Sequence, residues 1–111
     1  MQIQQHRHGA VTVLVPKGPL AGEDAEELRS RLLEALRESR GRIVLDAAGI
    51  PMVDSRTLEV LVEVTGEMAS TGQTLKLCAA NGTLRQVLEL TELASLFEHF
   101  EDANAAVRSF L

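Results

Sequence analysis

Two hydrophobic periods alternate along this chain, and that alternation restricts its possible folds more than any other feature. Residues 3–7 and 10–15 (AVTVLV) are extended in character, with His8-Gly9 between them as a tight turn, so a β-hairpin is expected first. Pro16, Gly18 and Pro19 should break its second strand. The period then becomes helical. Across residues 23–40, Ala25, Leu28, Leu32, Ala35 and Leu36 recur at three- and four-residue steps. Glu23, Asp24, Glu26 and Glu27 crowd the first turn and Arg37 and Arg40 the last, as the helix dipole favours, and Gly41 is a natural stop. Residues 43–45 (IVL) read as a short strand buried on both faces.

After an irregular loop at residues 47–53, a helix is expected over residues 55–69. Leu58, Leu61, Val62, Thr65, Met68 and Ala69 are read as facing inward. Val60 and Val64 then point elsewhere, to serve a partner surface or to pack on a neighbouring helix. A strand at residues 74–79, an Asn81-Gly82 turn, a helix at residues 84–90 with Val87, Leu88 and Leu90 apolar, and a strand at residues 97–100 follow. A terminal helix at residues 102–110, capped by Asp102, completes the chain. Strands that alternate with helices imply parallel pairing through right-handed crossovers. The expectation is a single α/β domain spanning residues 1–111, with a mixed sheet of four or five strands. Helices should pack mainly on one face, and the opening hairpin should lie at the edge.

Composition removes several functions. The formal net charge is −5 and no Trp or Tyr is present, which argues against nucleic-acid binding. The lone Cys78 lies in an apolar run and reads as a small buried hydrophobe suited to a reducing compartment. Residues 1–8 are polar and do not resemble a signal peptide, and no apolar stretch approaches the roughly 20 residues of a membrane span. A cytoplasmic location is therefore expected. His6, His8 and His99 are too few and too scattered for a metal site, and no cofactor is expected. Ser55 lacks a G-x-S-x-G elbow, and Asp54 is a poor proton acceptor at neutral pH, so the chain is not read as an enzyme.

One segment is informative about function. Residues 43–63 (IVLDAAGIPMVDSRTLEVLVE) carry a buried strand through a loop into a helix that starts at Asp54-Ser55. In open α/β sheets, functional groups gather where loops leave the carboxyl ends of strands. Asp and Ser are also ordinary helix caps, and as a spacing alone the pair says no more than that. A phosphate on Ser55, however, would sit where main-chain N–H groups and the helix dipole stabilise an anion.

The pattern V-L-D-x-x-x-I-x-x-V-D-S-x-x-L resembles the signature of STAS domains, and specifically of the anti-sigma factor antagonists. Residues 10–20, with Gly18-Pro19-Leu20, are similar to the family's second strand and following G-x-L element; residues 72–79 and 84–93 also match. The resemblance implies the STAS fold and a role in partner switching, in which the antagonist binds an anti-sigma factor that is itself a serine kinase. The kinase phosphorylates the antagonist, the phosphate ends binding, and a phosphatase resets the switch. Carried over, Ser55 is the phosphoacceptor and Asp54 caps the helix beside it. Arg56, Thr57, Leu58, Leu20 and Ala21 form the surrounding partner-binding region. The family commonly reads D-S-S/T-G-L; here Arg56 could pair with a phosphate, and Thr57 stands in the glycine's place. Ala21 replaces a frequent acidic residue. The alternative is an adaptor subunit of a larger assembly, such as a stress-signalling scaffold or a lipid-transport ATPase, without a phosphorylation switch. Oligomeric state is not legible.

Overall fold

A computed structural model describes residues 2–111. The chain opens with the hairpin β1 (Gln2–His8) and β2 (Val11–Lys17). Their two-residue connection is Gly9-Ala10, one position later than expected, because His8 still pairs with Val11. Gly9 has φ 63° and Ala10 is not in the left-handed region, the combination a type II′ turn requires. Pro16 does not end β2. Counting from the turn, it occupies a non-hydrogen-bonded pair with Ile3, so its missing N–H faces β3, whose ladder has already stopped at Leu14–Leu45.

The remaining elements are α1 (Glu23–Ser39), β3 (Ile43–Asp46), α2 (Ser55–Ala69), β4 (Leu75–Cys78), α3 (Gly82–Leu90), a 3₁₀ turn (Ala94–Leu96), β5 (Phe97–Phe100) and α4 (Ala103–Arg108). The sheet runs in chain order, β1-β2-β3-β4-β5, with the first pair antiparallel and the others parallel. Successive right-handed crossovers taken in one direction place their helices on the same face. Accordingly, α1, α2 and α3 share a core with Leu14, Ile43, Leu45, Leu75, Leu77 and Phe97. The alternate residues Val11, Val13, Val44 and Cys78 form a smaller core beneath Ala106 of α4 on the opposite face. The mixed sheet, the hairpin at its edge and three of four helices on one side agree with expectation.

One inward face was misassigned. In α2 the buried stripe is Thr57, Val60, Leu61, Val64, Thr65 and Met68. Val60 and Val64 are fully buried, Val62 is 41% exposed and Ala69 is also exposed, so Val60 and Val64 offer no partner surface. Leu61, Thr65 and Met68 do face inward as expected, but the stripe runs through Thr57, Val60 and Val64, so the expected face is rotated about the helix axis. In α3 the buried residues are Leu84 and Leu88, while Leu90 is exposed at the helix end.

Candidate functional site

The loops leaving β2 and β3 are laced together at the carboxyl end of the parallel strands. Leu20 and Val53 form an isolated parallel bridge. The Leu20 N–H donates to the Met52 carbonyl (3.2 Å), the Asp54 N–H to the Leu20 carbonyl (3.1 Å), and the Gly18 N–H to the Gly49 carbonyl (2.9 Å). From the loop after β4, the Asn81 amide donates to the Ile50 carbonyl (3.2 Å) while its side-chain oxygen caps α3 at the Leu84 N–H (2.8 Å). Three strand-to-helix loops thus make one platform.

Asp54 is the hub of that platform. With φ −94° and ψ 176° it is an extended N-cap, and one carboxylate oxygen accepts the Thr57 N–H (2.8 Å). The same oxygen lies 2.8 Å from the Thr57 hydroxyl, which is also 3.2 Å from the Leu20 carbonyl. The other oxygen accepts the Gly22 N–H (3.0 Å) at the start of α1, a helix with no side-chain cap of its own. One carboxylate therefore serves two helix starts. These bonds, led by the Thr57 N–H and then the Gly22 N–H, favour the charged form and hold the Asp54 carboxyl below its ordinary value of 3.8.

Ser55 is the first residue of α2, and its side chain is exposed. Since Asp54 occupies the Thr57 N–H, the main-chain N–H groups at Ser55 and Arg56 are the unclaimed donors of this first turn. Arg56 is exposed and reaches sideways to α1, bonding Glu26, and along its own helix to Glu59 (3.1 Å). Those carboxylates raise its pKa, Glu26 most of all. The guanidinium expected to await a phosphate on Ser55 is already neutralised by two glutamates.

The other expected site residues separate by burial. Ala21 is exposed beside the platform, and Leu58 is half-buried against the main core. Leu20 (1% exposed) and Thr57 (0%) are interior. Their side chains present no surface to a partner, and their contribution is to position Asp54. Gly22 and Glu26 were missed as members of the site. They meet Asp54 and Arg56 only across the α1–α2 interface, and neither carries a local motif. His6 and His8 lie on edge strand β1, whereas His99 lies on β5 at the opposite edge with its Nε2 2.7 Å from the Ala94 carbonyl.

The family model for the STAS domain matches residues 2–106. A Bordetella bronchiseptica protein named as a candidate anti-sigma factor antagonist, BtrV, is 23% identical over 110 residues, covering 99% of this chain and 95% of its own. The crystal structure of a candidate anti-sigma factor antagonist from Thermotoga maritima superposes with TM-score 0.86 at 22% identity, covering 96% of this chain and 92% of that one. The phosphorylated form of the Bacillus cell fate determinant SpoIIAA superposes with TM-score 0.72 at 17% identity, covering 97% of this chain and 99% of the other. These likenesses establish a shared fold over nearly the whole chain. With its signature segment leading from β3 through Asp54-Ser55 into α2, and the family model spanning all but the last turns, this chain belongs to the STAS domain family.

Proposed function

We propose that this chain is a cytoplasmic anti-sigma factor antagonist that works by partner switching. Its unmodified Ser55 surface binds an anti-sigma serine kinase, phosphate on Ser55 ends that binding, and a phosphatase restores it. The observation that carries the reading is the position of Ser55, exposed at the first residue of α2 on a platform tied down by Asp54. The names borne by its relatives of the same fold support it as well.

The geometry also explains how a phosphate would be both tolerated and felt. Helix N–H groups can seat the anion without unfolding α2. The surface around it is already acidic, with Asp54 adjacent and Glu23, Asp24 and Glu26 in the first turn of α1. Adding about −1.5 to −2 charges there changes the local potential sharply. Binding and release need only charge and shape from this chain, and no catalysis.

The test is incubation with ATP and each candidate anti-sigma serine kinase of the same organism, followed by intact mass and site mapping. One phosphate on wild type and none on Ser55→Ala is expected, and Ser55→Asp should weaken kinase binding at least about tenfold. No phosphate on wild type, or equal labelling of Ser55→Ala, overturns the switch. Binding without phosphate transfer would instead identify an adaptor.

A further inference from the structure

At the end of the sheet opposite Ser55, where β3 and β4 begin and α1 ends, the surface carries a cavity of about 340 Å³. Its lining includes Arg40, Arg42, Lys76, Gln73, Glu98 and Phe110. We propose that this cavity binds a small phosphate-bearing anion, held by Arg40, Arg42 and Lys76.

Charge is the first argument. The whole chain carries 16 acidic residues against 11 Lys and Arg, yet three cations face one carboxylate here. Neither the Arg40 nor the Arg42 guanidinium makes a side-chain hydrogen bond or ion pair among the described residues, so both are available to a ligand at this opening. Two unpaired guanidinium groups at one opening are suited to the forked, charge-assisted bonding that phosphate oxygens accept.

The second argument is burial. Lys76 is only 8% exposed, although lysine is seldom buried without a strong partner. Its ammonium bonds the Ser109 hydroxyl and lies 3.4 Å from Glu98. It also sits 4.1 Å from the Phe110 ring centroid and 5.3 Å from that of Phe100. Ser109, Glu98 and the two rings hold the ammonium in place, and it adds a fixed positive charge to the cavity wall.

The third argument is the shape of the turn that bears both arginines. Arg40 has φ 54° and Gly41 φ 87°, two left-handed residues in succession, the first of them not glycine. The Gln73 amide donates to the Arg40 carbonyl (2.6 Å) and packs so closely over Gly41 that a Cβ there would lie 2.2 Å from it. This turn is the left-handed cap that ends α1, with the Gly41 N–H donating to the Leu36 carbonyl (3.1 Å), and it brings both arginines to the mouth of the cavity. Here it sets Arg40 and Arg42 on either side of a glycine whose left-handed φ would strain a larger residue.

The experiment is NMR titration of the full chain with inorganic phosphate and, separately, with phenyl phosphate, each against chloride at matched ionic strength. Saturable shifts confined to residues 40–42, 73–76 and 98 are expected. Tighter binding of phenyl phosphate identifies an organic monoester, its ring against Phe110, and equal binding identifies free phosphate. The double variant Arg40→Gln/Arg42→Gln, at exposed positions, should lose about tenfold or more in affinity. Glu98→Gln removes the opposing charge and should tighten binding, a gain that damage to the fold would not produce. Shifts that do not saturate in either titration, or unchanged affinity in the double arginine variant, overturn the proposal.

Discussion

Asp54 shows how much one side chain can do when it stands between two helix starts. Its carboxylate accepts from Thr57 and from Gly22, so its charge stabilises both α2 and the entry to α1. Because its folded pKa is depressed, that stabilisation is complete well above 3.8 and is lost as pH falls through the lower folded value. Asp54→Asn should therefore lower the melting temperature at neutral pH and flatten the acid limb of the stability curve. Thermal melts of the two proteins from pH 7 down to pH 2 (roughly the range over which carboxylates titrate) check this. Thr57 belongs to the same cluster. The family often has glycine at this place, and here the side chain is fully buried with its hydroxyl between Asp54 and Leu20. Thr57→Gly removes that contact and adds helix-backbone entropy to the unfolded state. It should destabilise by about 1–3 kcal/mol in urea titration.

Helix α2 begins at the exposed Ser55 and carries the structural load along its length. Its buried stripe runs Thr57, Val60, Leu61, Val64, Thr65, Met68, while Glu63 pairs with Arg29 and Arg56 with Glu26 across to α1. Neighbouring valines on one helix therefore have opposite roles. Val60→Asp places an unpaired charge among Leu and Ile side chains and should unfold the domain or cost more than about 3 kcal/mol. Val62→Asp, at a position 41% exposed, should change stability by no more than about 0.5 kcal/mol. Paired denaturant titrations distinguish this face assignment from the one that apolar spacing suggests.

The whole molecule has two cores separated by the sheet, and they differ in size. The larger holds α1, α2 and α3 and supports the Asp54 platform; the smaller is closed by the short α4. Cys78 lies beneath α4, where burial first, and then the charges of Asp46 and Asp102, push its thiol up to about 12. It should resist a disulfide reagent at pH 8 until the protein unfolds. Ala106→Asp puts a charge under α4 and should expose Cys78 to the reagent while the far-UV signal of the other helices persists. If labelling then appears only together with global unfolding, α4 is inseparable from the main core.

The order of elements, the strand-buried character of IVL and the helix start at Asp54-Ser55 were all legible in the sequence, because each rests on neighbours within a few residues. Periodicity, turn chemistry and capping are local properties, and they identified α2 to the residue. Their failures have the same origin. Thr57 is polar by composition yet interior by position, and Val60 and Val64 are buried where Val62 and Ala69 are not, so the helix face was misread until packing against α1 was known. Pro16 looked like a strand breaker because its harmlessness depends on where the β3 ladder ends. Arg56 appeared available because Glu26 lies 30 residues away. Which side chains meet across elements, and therefore which charges are already neutralised and which remain exposed, is set by the closure of distant segments against one another. No local spacing encodes that, and it was decided only when the sheet and its helices came together.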